Sequence, residues 1–97
     1  MYHFSFIVLH YLSYETTSNC IDSILQTYSQ CQEYTYNIVV VDNGSSNNSY
    51  SKLYSKYNDN PIITLIHSDK NLGFAKGNNL GYVYALQQLH SDFVIIT

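Results

Sequence analysis

Arginine is absent from this sequence: its whole basic complement is four lysines, set against seven acidic residues for a formal charge of −3. That balance excludes two classes of partner. A nucleic-acid interface needs a basic patch and a polybasic membrane anchor needs clustered Lys and Arg, and four lysines build neither. Long apolar runs are also missing, the longest covering four to six residues where a membrane-crossing helix needs ~20. The start, Met1-Tyr2-His3-Phe4, carries no Lys or Arg and its apolar stretch from Phe4 to Leu9 is short, a poor fit to a signal peptide. Cysteine is scarce, and Cys20 and Cys31 fit neither a metal spacing nor a disulfide framework, so free thiols in the cytoplasm are expected. Charged residues reach only 11%, below the ~25% of typical soluble domains. Eleven tyrosines and four phenylalanines then exclude a disordered acidic tail, because such tails are poor in aromatics. With 97 residues the chain is one domain at most.

What is present alternates between two periods. Phe4 to Tyr11 is β-branched and aromatic and reads as a first strand. Cys20, Ile21, Ile24, Leu25 and Tyr28 then share one helical face, with Ser13, Thr16 and Thr17 as candidate N-caps. Ile38-Val39-Val40-Val41 is a continuous apolar run, the pattern of a strand covered on both faces. Tyr50, Leu53, Tyr54 and Tyr57 predict a short second helix, broken at Asn58-Asp59-Asn60-Pro61. Ile62 to His67 predicts strand three, about Ala75 to His90 a third helix, and Phe93 to Ile96 strand four. Such β-α-β alternation implies an α/β fold with a parallel sheet and right-handed crossovers. Ligands in open α/β sheets bind beyond the carboxyl ends of the strands. That directs attention to Tyr11, to Asp42 through Ser46 and to Ser68 through Gly73.

Two readings stand for Asp42, which follows four apolar residues. Its carboxylate, an acceptor only, either caps the turn Asp42-Asn43-Gly44 or accepts an N–H such as the imino group of uracil. Tyr11 either packs or stacks on a base, a contact worth ~1–3 kcal/mol. Gly77 and Gly81 lie four apart on one helical face. Each costs about 1 kcal/mol against alanine, so either the sheet or a ligand comes close there. Lys76, Asn78 and Asn79 add polar groups at the helix start, where N–H donors attract anions. The glycine patterns of dinucleotide-binding folds, P-loops and nucleophile elbows are absent. His3, His10, His67 and His90 are scattered without ligand spacing and read as structural or exposed.

Three stretches, in this order, resemble the N-terminal half of family 2 glycosyltransferases of the GT-A fold. Phe4 through Leu25 looks like the opening β-α unit, and Ile38-Val39-Val40-Val41-Asp42-Asn43-Gly44-Ser45-Ser46 is similar to the V-V-D-[DN]-[GN]-S signature. Asn71-Leu72-Gly73 through Gly77-Asn78-Asn79-Leu80-Gly81 looks like the N-x-G-x-x-x-[AG]-x-N-x-G helix, leaning toward the rhamnosyltransferase-like branch. The resemblance implies a Rossmann-like three-layer α/β/α half-domain with strand order 3-2-1-4. It also implies a nucleotide-sugar site for a UDP- or dTDP-sugar. Tyr11 would stack on the base and Asp42 would meet its edge, with Asn43 beside it; Asn71, Gly73, Lys76 and Asn79 would border the ribose and diphosphate. A divalent metal, Mg²⁺ or Mn²⁺, would be held by a D-x-D-type motif after strand four, where this chain reaches Thr97. Neither metal ligands nor catalytic residues are therefore expected here, and no transfer activity from these residues alone. A nucleotide-binding module and a pure interaction scaffold remain the alternatives. The resemblance also leaves strand four as an open apolar edge through which a homo-oligomer could form.

Overall fold

Four consecutive residues, Ile38 through Val41, are completely buried, which requires a strand with cover on both sides. The computed structural model describes residues 1–30 and 32–97; the expectation for Cys31 lies outside them. Strand β1 (Tyr2–His10), helix α1 (Tyr14–Tyr28) and strand β2 (Tyr34–Asn43) come first. Helix α2 (Ser49–Tyr57), strand β3 (Ile63–Ser68), helix α3 (Phe74–Gln87) and strand β4 (Phe93–Ile96) complete the order. All pairings are parallel and the sheet runs β3-β2-β1-β4, the order the family resemblance implies.

Strand alternation sorts the side chains into two cores. Phe6, Val8, Ile38, Val40 and Ile63 meet Ile21 and Ile24 of α1 and Leu53 and Tyr57 of α2. Ile7, Val39 and Val41 meet Ala85 of α3 on the opposite face. The result is three layers. Helices α1 and α2 are also clamped to each other through Asp22. Its carboxylate accepts from the Tyr57 hydroxyl at 2.7 Å and from Lys56 Nζ at 3.0 Å.

Several boundaries move from their expected places, each for a local reason. Tyr11 falls outside β1 because its carbonyl accepts from Ser13 N–H at 2.7 Å while Leu12 adopts φ 63°. Ser13, among the three candidate caps, is the one that caps α1, accepting from Thr16 N–H. β2 starts four residues before Ile38, since Tyr34, Thr35 and Tyr36 pair with Tyr2, His3 and Phe4 of β1. Helix α3 begins one residue before Ala75, and ends at Gln87 rather than His90, which has turned to φ 51°. β4 is an edge, paired on one side only with β1, and its Phe93 and Ile96 are about half exposed.

The close approach expected at Gly77 and Gly81 is that of the sheet in both cases. A Cβ on Gly77 would lie 2.7 Å from Leu9 Cδ1, and one on Gly81 2.6 Å from Ile7 Cγ2. Ile7 is completely buried and has nowhere to retreat. Gly81→Ala is therefore expected to destabilise the fold by about 1–3 kcal/mol despite alanine's ~1 kcal/mol better helix propensity. Urea unfolding checks the sign, and a stabilised variant would remove the close-packing account of this helix.

Candidate functional site

Parallel register places three polar residues in one row at the carboxyl end of the sheet. His10 pairs with Asp42, and Asp42 with His67. Each lies two residues beyond an apolar side chain of the α1/α2 face (Val8, Val40 and Leu65), so all three point to that same side. The side chain of Asp42 is fully buried. Such a carboxylate is tolerated only when its oxygens are hydrogen-bonded, and both are. Ser45 N–H donates to Oδ1 at 3.2 Å and His67 Nδ1 donates to Oδ2 at 2.8 Å. The turn-capping reading of Asp42 is thus realised, and a second donor, His67, completes the shell.

His10 is equally buried. Its Nε2 lies 2.8 Å from Ser49 Oγ and its Nδ1 2.6 Å from Thr17 Oγ1. Ser49 spends its own proton on Asn47 Oδ1, so the serine oxygen accepts from Nε2–H and the threonine hydroxyl donates to Nδ1. That fixes one neutral tautomer. Burial lowers the His10 pKa below the ordinary imidazole value, against an opposing pull from the Asp42 charge. Beyond β1, Ser45 Oγ accepts from Leu12 N–H at 2.9 Å and Asn47 Nδ2 donates to Leu12 O at 2.8 Å. The two loops leaving β1 and β2 are therefore tied side by side.

On the other face the organiser is Asn43. Its Oδ1 accepts from Leu72 N–H at 2.9 Å, and its Nδ2 donates to Asn71 Oδ1 at 3.1 Å and to Gly73 O at 3.3 Å. These bonds hold the β3–α3 loop against the end of β2. Gly73 stands just before α3 at φ 85°, and no side chain caps the helix, so the first turn leaves backbone N–H groups outside the helical ladder. Gly44 makes the loop's approach possible, since a Cβ there would fall 2.3 Å from the Lys70 carbonyl carbon.

Of the residues singled out in the sequence, Asn43, Asn71 and Gly73 form one bonded group. Asp42 is next in sequence to Asn43 but faces the opposite side of the sheet. Lys76 and Asn79 are exposed on α3 beyond that group, and Tyr11 is exposed one residue past β1. Asn78 is buried, with neither amide atom partnered among the described residues, beside a cavity of about 220 Å³ that Phe74, Asn79, Tyr82 and Ile96 help to line. In the sequence His10 and His67 read as structural or exposed, Thr17 as a candidate cap and Tyr50 as part of a helix face, and Ser49 is not singled out; the sequence alone places none of them at the site. The ring of Tyr50 stacks on that of His67 with centroids 4.9 Å apart and planes 27° from parallel. Burial first, then the Asp42 charge, raises the Tyr50 phenol above its ordinary value, so it stays protonated. A signal for the histidines was there: each is the first polar residue on the α1/α2 face of its strand.

A depressed histidine pKa sets a sign for pH dependence. Above the unfolded value of ~6.5 His10 is neutral in both states and its contribution to stability is fully present. As pH falls through that value the unfolded chain takes up a proton that the folded chain resists, and stability drops. Unfolding followed from pH 7.5 to 5 is expected to show this acid loss, and His10→Gln to flatten it. An unchanged slope in the variant would assign the loss to other groups.

Among known proteins, residues 5–97 match the family described as Glycosyl transferase family 2. No curated protein and no solved structure matches.

Proposed function

The chain belongs to glycosyl transferase family 2, and from that premise we propose that it carries the donor half of a glycosyl-transfer site. The reaction breaks the bond between the sugar's anomeric carbon and a nucleoside diphosphate, which leaves with the electron pair. An acceptor hydroxyl gives up its proton and forms the new bond to that carbon. In this proposal Asp42 receives an N–H on the edge of a uracil or thymine, Tyr11 stacks on the base, and Asn43 anchors the adjoining loop. Asn71, Gly73, Lys76 and Asn79 border the ribose and diphosphate of a UDP- or dTDP-sugar. The observation that carries the reading is the set of bonds made by Asn43, which seats the uncapped start of α3 beside the strand ends within the family-matched segment. Unpaired helix N–H groups and a nearby lysine suit a diphosphate.

A divalent ion, Mg²⁺ or Mn²⁺, goes with the family reading. The described residues do not fit one: no three of His, Cys, Asp and Glu come together, and both oxygens of Asp42 are bonded within the protein. No step is derived through a metal. With Lys70 and Lys76 as the rim's cations, we propose that these residues bind donor weakly and transfer nothing by themselves. Release of UDP from a UDP-sugar by the purified 97-residue chain would overturn that. The cytoplasmic location inferred from cysteine usage belongs to the same proposal; no helix among the described residues is long and apolar enough to cross a membrane.

Titration of the ¹⁵N-labelled chain with UDP and dTDP tests the donor reading. Saturable shifts at Tyr11, Asp42–Ser46 and Asn71–Asn79 are expected with Kd near ~1 mM, which corresponds to only about −4 kcal/mol. Asp42→Asn should weaken binding at least about tenfold, since hydrogen bonds to a charged group contribute ~1.5–3 kcal/mol. Lys76→Ala should cost no more than a few-fold, because an exposed ion pair is worth ~0–1 kcal/mol. A dispersed spectrum that does not move at millimolar nucleotide leaves the fold and removes the function.

Self-association through the β4 edge is proposed as well, on the exposed apolar side chains of Phe93, Ile95 and Ile96 and the absence of charge or proline in that strand. Sedimentation should show a concentration-dependent dimer that Ile95→Lys abolishes. A monomer at high concentration would dismiss it.

A further inference from the structure

The buried Asp42 cannot meet a base as it stands. None of its side chain is accessible, whereas 43% of the His67 side chain is. His67 and Tyr50 lie over the carboxylate as a stacked pair, with His67 Nδ1 2.8 Å from Oδ2. In chemical terms this is a planar nitrogen heterocycle, stacked on a tyrosine, giving a ring N–H to a buried carboxylate. Uracil and thymine have the same features at N3–H. We infer that the His67 imidazole sits in the seat of the nucleobase edge, as an internal stand-in, and that nucleotide binding proceeds by its displacement from Asp42. This rests on the reading of Asp42 as the base acceptor, and it adds Tyr50 as a stacking surface that the base inherits.

The contacts around His67 make an exchange feasible. Its ring is held by one hydrogen bond to Asp42, the stack on Tyr50 and the Asp69 carboxylate 3.4 Å from Nε2. It belongs to neither hydrophobic core, and it stands at the next-to-last position of β3 with its outer side in solvent. Ser45 N–H, the other donor to Asp42, is backbone in a loop tied to Leu12 through Ser45 Oγ and Asn47 Nδ2 and does not move aside as a side chain can. A rotation of His67 about its own side-chain bonds frees one acceptor oxygen and one aromatic face together. Such a placeholder lowers apparent affinity by the fraction of molecules in which the seat is open. His67 is thus a residue that sets nucleotide affinity by competing for the site.

UDP titrations of wild type, His67→Ala, His67→Asn, Asp42→Asn and the double variant His67→Ala/Tyr50→Ala test this, with the fold of each checked by amide dispersion. His67→Ala should bind UDP about tenfold or more tightly than wild type. His67→Asn keeps an N–H donor in reach of Asp42 and should fall between the two, and the double variant should lose the gain. In wild type, UDP should shift the imidazole nitrogen resonances of His67, a readout that stands even if the alanine variant fails to fold. Equal or weaker binding by a folded His67→Ala, while Asp42→Asn abolishes wild-type binding, would overturn the stand-in and leave the donor site intact. If UDP binds neither wild type nor His67→Ala, the base-acceptor reading itself fails, and the stand-in fails with it.

Discussion

A carboxylate withdrawn from water constrains everything around it, and Asp42 is such a group. It ends an apolar run that the sheet buries from both sides, so its oxygens depend on protein donors. One donor comes from the loop after β2 and the other from the neighbouring strand β3. Satisfying the first fixes the turn at Gly44–Ser45; satisfying the second requires the β2–β3 register to put His67 opposite Asp42. A slip of one residue in that register would turn His67 to the other face and leave one oxygen unpaired. The register of the sheet and the chemistry of its rim are thus one constraint.

The same strand end serves two faces with two kinds of group. Toward α1 and α2 Asp42 stands in one row with His10 of β1 and His67 of β3. Toward α3 the strand end presents the neutral Asn43, which bonds a loop carbonyl, a loop N–H and another amide. Neutral amides position a backbone without introducing a charge to desolvate. That division suits a nucleotide, whose base is read by directed donors and acceptors while its phosphates need exposed N–H groups and cations. Asn78 adds a buried amide whose donor and acceptor atoms find no partner among the described residues. Unsatisfied polar groups of that kind call for a partner.

Periodicity made the architecture legible in the sequence. The unbroken run Ile38–Val41 signalled a doubly covered strand, and the helical spacing of Ile21, Ile24, Leu53 and Tyr57 marked the helix faces that now form one core. Strand order came from family resemblance, because alternation fixes the presence of parallel strands and not their sequence in the sheet. Tyr34–Tyr36 was missed as strand because its stabilisation comes from pairing with Tyr2–Phe4, more than thirty positions away. The candidate site was legible where it is local: Asp42 and Asn43 end β2 just before a turn, and Asn71 and Gly73 lie in the loop before α3. His67 and Tyr50 acquire meaning only through cross-strand register and helix docking, and a scattered histidine carries no sign of that in one dimension.

A site built on a fully satisfied carboxylate has a consequence for affinity. A ligand that takes one of Asp42's bonds gains only the difference between its own contact and the one it removes. The lysines near the rim are exposed and screened over ~8–10 Å in ordinary salt, so on the donor reading they add little to the hold on a diphosphate. What the arrangement provides instead is a preformed rim. The loops are tied, the His10 tautomer is set, and Asp42 is held in place before any ligand arrives, so little ordering entropy is left to be lost on binding. On the proposed donor reading, modest affinity with a fixed geometry suits a ligand that must bind and leave, because His67 would compete for the carboxylate that a departing base releases.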